Sequence, residues 1–280
     1  MWLSPAKLNL FLHITSKRDD GYHNIQTIFQ LLDFGDEIGF KIRQDTKIKR
    51  VFGNKNIPHE EDLLIKSARL LQQKYNINQG VEIKINKKIP IGGGLGGGSS
   101  NAAIVLMALN ELWEINLSKE KLMELGGSLG ADVPFFIFGK NAWAEGVGDK
   151  LQTITLPEDY FLVVSPNKHI STQKIFSSSL LTIKPRQLKI ADFFVDSKKH
   201  LFVNDCLKSA IFEESEIKKV IDWLDAINRE SCANMTGTGS CVFSRFSTKK
   251  QARQVLENLP EKWTGFVAKG VNSLANRLPL

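Results

Sequence analysis

No stretch of 18 apolar residues occurs anywhere in the chain, so no segment reads as a membrane-spanning helix. The opening Met1-Trp2-Leu3-Ser4-Pro5 lacks the charged, then greasy, then small-residue order of an export signal, and a cytoplasmic protein is expected. Cysteine is scarce: Cys206, Cys232 and Cys241 stand apart without metal-ligand spacing, and an odd number argues against a disulfide framework. Reduced thiols are expected, with Cys241 simply packed. Positive charge is in excess, at a formal +7, but it is not concentrated. The basic residues are dispersed as Lys47-Ile48-Lys49-Arg50, Lys87-Lys88, Lys198-Lys199-His200 and Lys249-Lys250, with no arginine-rich tail and no aromatic-interleaved basic block. A small polyanion suits this pattern better than nucleic acid or a membrane surface. No internal repeat is visible. The 280 residues, 42% hydrophobic and 24% charged, predict a globular chain of two domains sharing an extended core.

What the chain has in abundance is glycine at one place. Pro90-Ile91-Gly92-Gly93-Gly94-Leu95-Gly96-Gly97-Gly98-Ser99-Ser100-Asn101 lies between an alternating strand-like run at residues 81–85 and an apolar, helix-like run at 102–113. Glycines allow positive φ and let backbone N–H groups approach a ligand, while a helix start adds unpaired donors and a positive dipole end. Ser99, Ser100 and Asn101 stand where a cap is expected, and a hydroxyl there can serve a phosphate or its metal instead. The favoured ligand is phosphate. The common P-loop is excluded because no lysine follows Gly98, and a dinucleotide fingerprint because the glycine block is too dense.

Elsewhere, Leu8, Leu10 and Leu12 alternate with Lys7, Asn9 and Phe11, a strand on which Lys7 and Asn9 point the same way. Gly21-Tyr22-His23-Asn24 forms a polar, aromatic loop able to stack on and hydrogen-bond a flat base. Residues 37–43 and 47–52 suggest strands of a meander. A helix is expected from His59-Glu60-Glu61-Asp62, with Leu64, Ala68 and Leu71 inward, and another after Ser118 with Leu122, Leu125 and Leu129 inward. Asp132 precedes the apolar run Val133-Pro134-Phe135-Phe136, so it is either a helix cap or a carboxylate in need of a partner. A glycine-hinged hairpin follows at 142–149, and a strand at 160–166 is expected to close the first domain. Past Pro166 come a short helical piece at 171–176, a loosely patterned stretch at 177–196 and helices at 204–212 and 217–227. A second glycine turn, Thr236-Gly237-Thr238-Gly239-Ser240, feeds an apolar strand; a helix at 248–258 and a strand at 264–269 complete a small α/β sandwich.

Three separated motifs, Pro5-Ala6-Lys7-Leu8-Asn9-Leu10, residues 92–101 and Thr236-Gly237-Thr238-Gly239-Ser240, together resemble the GHMP kinases, the family of galactokinase, homoserine kinase and mevalonate kinase. Gly21-Tyr22-His23 and Gly130-Ala131-Asp132-Val133-Pro134 extend the likeness from about Ser4 to Gly270. The resemblance implies an α+β fold, with an S5-like N-terminal domain over residues 1–166, a ferredoxin-like C-terminal domain over 167–280 and the site in the cleft between them. It implies ATP-dependent phosphorylation of the 2-hydroxyl of a cytidine-diphosphate-linked methylerythritol, with Mg²⁺ expected and its ligands unknown. A monomer or homodimer, with no nucleic acid and no membrane partner, is expected. By the resemblance, Lys7 and Asp132 are catalytic; Pro90, Ile91, Gly92, Gly93, Gly94, Leu95, Gly96, Gly97, Gly98, Ser99 and Ser100 bind ATP, with Lys87 beside the adenine. Asn9 and Thr172 contact the substrate, and Tyr22, His23 and Phe176 hold its cytosine. Asp62-Leu63 departs from the Asn-Leu frequent at the adenine side, replacing a donor with a charge. The alternatives are another GHMP small-molecule kinase, acting on mevalonate, homoserine or a sugar, or a non-catalytic nucleotide or RNA binder.

Overall fold

The computed structural model describes residues 1–52, 61–183, 185, 188–195, 203–229 and 231–274. The expected helix start at His59-Glu60, the Lys198-Lys199-His200 cluster and part of the 177–196 stretch lie outside the described residues.

Two long strands carry the N-terminal half: β1 (Trp2–Lys17) and β2 (His23–Arg43) pair antiparallel about a turn at residues 18–22. β1 is the strand expected from its alternation, but both faces are buried, Leu8 and Phe11 alike at 0% exposure. β2 runs unbroken through 21 residues. β3 (Ile48–Phe52) does not continue a meander; it runs parallel to β4 (Gly80–Asn86), which pairs with β2. Parallel neighbours need a crossover, and α1 (Leu63–Lys74) supplies it. The Asp62 carboxylate caps α1 by accepting from the Leu64 N–H, and Leu64, Ala68 and Leu71 face inward as their spacing predicts.

α2 (Gly97–Leu112), α3 (Lys119–Gly127) and α4 (Val133–Phe138) pack with α1 over this sheet, burying Ile104, Val105, Leu122, Leu125, Phe135 and Phe136 in one core. Leu129 lies past the end of α3 and is only partly buried. The hairpin β5 (Ala142–Glu145) and β6 (Lys150–Thr153) joins the edge of β2 through β5.

The C-terminal half comprises β7 (Tyr160–Ser165), α5 (Thr172–Phe176), α6 (Ile190–Phe193), α7 (Leu207–Glu213), α8 (Glu216–Ile227), β8 (Asn234–Met235), β9 (Val242–Phe246), α9 (Lys249–Leu256) and β10 (Thr264–Val271). Its strands lie in the order β10-β7-β9-β8, the ferredoxin-like arrangement. β7, expected to close the first domain, is hydrogen-bonded between β9 and β10 as the first strand of this unit. Its run Phe161-Leu162-Val163-Val164, all buried, is what a central strand covered on both faces requires.

β10 also meets β2, at Gly270–Leu32 and Val271–Leu31, so the two halves share one sheet. At their junction Ala6, Leu8, Ile89 and Leu95 from the first half pack with Phe161, Cys241 and Phe243 from the second. No helix among the described residues is long and apolar enough to cross a membrane.

Candidate active site

A cavity of about 530 Å³ opens at that junction, lined by the glycine loop, Lys7, Asp132, the N-terminus of α1 and, from the second half, Thr172, Phe176, Gly237 and Thr238. The loop is a packed element. Gly92, Gly94 and Gly96 have φ of 69°, 76° and 70°, the left-handed region that glycine enters without steric cost. At Gly94 the need is absolute: a Cβ would stand 2.1 Å from the Thr236 carbonyl oxygen. The two glycine turns are thus pressed together, and the Cys241 N–H donates to the Gly93 carbonyl (3.1 Å) while the Thr236 hydroxyl donates to that of Gly94 (3.3 Å). Burial pushes the Cys241 thiol up to about 12, in keeping with a packing role.

α2 begins at least three residues earlier than the serines suggest, with Gly96 in the left-handed conformation as its N-cap and no side-chain cap bond. The consequence falls on Ser100. Its N–H donates to the Gly96 carbonyl (2.8 Å), its hydroxyl accepts from Ser4 (2.8 Å), and it is 0% exposed, so it faces the interior rather than the cavity. Ser99 does line the cavity; its Oγ lies 3.6 Å from where a Cβ on Gly130 would stand, on the loop leading to Asp132. Ile91 is half-exposed beside Pro90 at the cavity's edge.

Lys7 is 3% exposed and clamped. Its ammonium donates to the Asn9 carboxamide oxygen and to the Gly94 carbonyl (3.0 Å), lies 3.5 Å from Asp132 Oδ2 and sits 5.3 Å from the centre of the Phe29 ring. Burial pulls its pKa below the ordinary 10.5, and the neighbouring Asp132 charge opposes that pull. Asp132 occupies the N-cap position of α4 but makes no cap hydrogen bond; its side chain, 31% exposed, turns to Lys7 instead. The structure therefore selects the paired reading over the cap. Asn9, expected to touch substrate, lines the cavity although it is only 2% exposed, and it also holds Lys7, accepting from its ammonium and donating to the Thr27 hydroxyl (2.9 Å).

At the end of the cavity formed by α5, Phe176 stacks on His23 with ring centres 5.4 Å apart and planes 21° from parallel. His23 is 7% exposed, and its Nδ1 has no hydrogen-bond partner among the described residues. Burial lowers its pKa below 6.5, with Lys17 adding to the effect, which favours a neutral ring. Thr172 and Thr238 share a hydroxyl contact of 3.0 Å on the cavity wall. Neither Tyr22 nor His23 is brought into the wall: Tyr22 lies in the turn before β2, 63% exposed, and His23 is buried beside Phe176, which does line it.

At the opposite end, beyond the glycine loop, Lys87 pairs with the buried Asp36 at 2.6 Å. Asp62 is not a bare charge there. Its carboxylate is ion-paired with Arg50, both groups mostly buried in the cavity wall, and this partner went unread in the sequence because β3 and the start of α1 are apart in the chain. Thr236, which also accepts from the Asn9 N–H (2.9 Å), is a second residue the sequence reading left without a role.

A catalytic Mg²⁺ fits this donor set. Mg²⁺ held with substrate phosphates needs only one or two protein oxygens, and the Ser99 hydroxyl on the cavity wall is placed to supply one.

Comparison with known proteins gives the same picture. Residues 62–140 match the GHMP kinases N terminal domain and residues 197–265 the GHMP kinases C terminal domain. The chain is 51% identical over 273 residues to the 4-diphosphocytidyl-2-C-methyl-D-erythritol kinase of Vesicomyosocius okutanii, covering 97% of this chain and 95% of that one. It is 45% identical over 270 residues to the enzyme of the same name from Cupriavidus metallidurans, covering 96% and 92%. A crystal structure of 4-(cytidine 5'-diphospho)-2C-methyl-D-erythritol kinase superposes with a TM-score of 0.82 at 29% identity, over 96% of this chain and 99% of that one. A mevalonate kinase shares the fold at 17% identity and a TM-score of 0.70, over 96% and 98%. With both halves matched in order and relatives near half-identity along almost its whole length, this chain belongs to the GHMP kinases.

Proposed function

We propose that this protein transfers the γ-phosphoryl group of ATP to the 2-hydroxyl of 4-(cytidine 5'-diphospho)-2-C-methyl-D-erythritol. The observation that carries the proposal is the 3.5 Å approach of Lys7 to Asp132 at the lip of the glycine loop, across 125 residues of chain. The relatives named above give the substrate, and Phe176 on the wall of the same cavity, backed by His23, is suited to a pyrimidine.

Phosphoryl transfer passes through a loose transition state, so the protein's task is to align two oxygens and neutralise charge on the moving group. The glycine-loop N–H groups and the N-terminus of α2 bind the ATP phosphates. Mg²⁺, when bound, supplies further positive charge on the phosphate oxygens. The substrate's hydroxyl oxygen forms the new bond to the γ-phosphorus while the bond to the β,γ-bridging oxygen breaks and ADP departs. Asp132 accepts the hydroxyl's hydrogen bond, aims the oxygen and takes the proton late. Lys7, held by Asn9 and the Gly94 carbonyl, stabilises the negative charge that develops. Phe176 presents its ring from the cavity wall to the cytosine, His23 stacks against Phe176 with its buried Nδ1 still unpartnered among the described residues, and Tyr22 swings from its exposed turn to cover the base. Thr172 borders the same substrate. The division of labour follows the fold: the N-terminal domain grips ATP, and the C-terminal domain contributes the substrate wall through α5 and the second glycine turn.

ADP release measured with this cytidylyl substrate, mevalonate, homoserine and a sugar tests the assignment. Turnover confined to the cytidylyl substrate is expected; faster turnover with another alcohol would overturn it.

A further inference from the structure

The strand leading into the glycine loop rests on a carboxylate that the reaction as described does not use. Asp36 on β2 is 0% exposed. Its Oδ1 accepts from two consecutive backbone N–H groups, Lys88 (2.7 Å) and Ile89 (2.9 Å), and its Oδ2 accepts from the Lys87 ammonium (2.6 Å). These three residues are the turn between β4 and the loop. The Lys87 ammonium in turn lies 3.1 Å from where a Cβ on Gly97 would stand, and Gly97 is the first residue of α2.

That placement is electrostatically unfavourable taken alone. A helix N-terminus carries the positive end of the dipole, and a cation beside it is repelled. Lys87 is partly exposed and has a long, flexible stem, and among the described residues it is Asp36 that holds it there. Held in place, its ammonium keeps N–H donors free of Asp36 beside the unpaired N–H groups of the first turn, and the spot suits a phosphate oxygen.

We infer that Asp36 is a positioning residue for the phosphate chain of the nucleotide donor: it fixes the loop's entry through two backbone hydrogen bonds and holds the Lys87 ammonium at the start of α2. This rests on the reading of the glycine loop as the ATP site. The backbone role and the charge role are separable, because Asn at position 36 keeps an oxygen for the two N–H groups but loses the charge that holds Lys87.

The test is calorimetric ATP binding without turnover, together with kcat, the KM for each substrate and Tm, for Asp36→Asn, Lys87→Met and the double variant. Loss of a charge-assisted contact predicts ATP affinity lower by roughly tenfold or more in Asp36→Asn. Its kcat at saturating ATP and its KM for the cytidylyl substrate stay within about twofold of the wild type. The double variant is expected to bind ATP no more weakly than the worse single variant, since both changes remove one device. Unchanged ATP affinity in Asp36→Asn, equal weakening for both substrates alongside a fall in Tm, or losses that multiply in the double variant would each overturn the inference. Binding measured apart from turnover keeps this separate from the proposed reaction: wild-type protein that binds ATP but releases no ADP with the cytidylyl alcohol defeats the reaction and leaves Asp36 to be judged on affinity alone.

Discussion

Gly94→Ala concentrates the structural argument in one methyl group. The new Cβ would stand 2.1 Å from the Thr236 carbonyl oxygen and 3.1 Å from that of Gly239, so it must move by at least about 1.3 Å to reach ordinary contact. The residue would also be held at φ 76°, which costs an L-residue about 1–2 kcal/mol. Relief is available only by prising the two glycine turns apart. That stretches Cys241 N–H to Gly93 O, Thr236 Oγ1 to Gly94 O and the Lys7 ammonium's bond to Gly94 O. At about 0.5–1.5 kcal/mol for each neutral bond and more for the charged one, strain and lost bonds together reach at least about 3 kcal/mol, or more than a hundredfold. The loss should divide between a lower Tm and weaker ATP binding, with kcat falling because Lys7 loses a tether. Gly127→Ala is the control: its Cβ would meet only Pro134, at 3.9 Å, and it is expected to leave Tm and ATP affinity within experimental scatter. Thermal unfolding, ATP calorimetry and steady-state kinetics on both variants read the difference. A Gly94→Ala protein with wild-type Tm, affinity and kcat would refute the packing of the two turns.

The remaining expectations are shorter. Lys7→Ala should lower kcat by about 10² or more with little effect on ATP affinity, and near-wild-type turnover would contradict it. Because burial lowers the Lys7 pKa and the charged form is the active one, kcat should fall as pH rises through a limb below 10.5; in Asp132→Asn, which removes the opposing charge, that limb should move lower still. A limb at or above 10.5 in the wild type would argue against Lys7. Tyr22→Ala and Phe176→Ala should each raise KM for the cytidylyl substrate several-fold more than KM for ATP, and equal losses would mean the two ends of the cavity are exchanged. Thiol titration of the native protein should find one reactive cysteine, Cys232, since Cys206 and Cys241 are buried and their thiols pushed up to about 12; labelling of Cys241 before unfolding would contradict its place beneath the loop.

The glycine loop, the strand bearing Lys7 and Asn9 and the helices after it were legible because each is a local pattern: a composition spike, a period of two, a cap followed by an apolar stripe. What escaped was non-local. β3 reads as a meander strand because residues 47–52 closely follow 37–43, but a crossover through α1 carries its partner to β4. β7 reads as the end of a domain because a proline follows it, although both its hydrogen-bonding edges are satisfied by strands some 80 and 100 residues later. Ser100 looks like a phosphate ligand from its neighbours in sequence, and only the meeting of β1 with α2 shows that Ser4 claims its hydroxyl. The charge of Asp62 has the same explanation, its neutralising Arg50 lying on another element.

The most direct test is single-turnover transfer with saturating ATP and cytidylyl substrate in wild type and Asp132→Asn. The proposed mechanism predicts a rate lower by about 10² or more in the variant, with ATP binding unchanged. Transfer at the wild-type rate by Asp132→Asn would contradict the claim that this carboxylate, beside Lys7, aims the attacking alcohol.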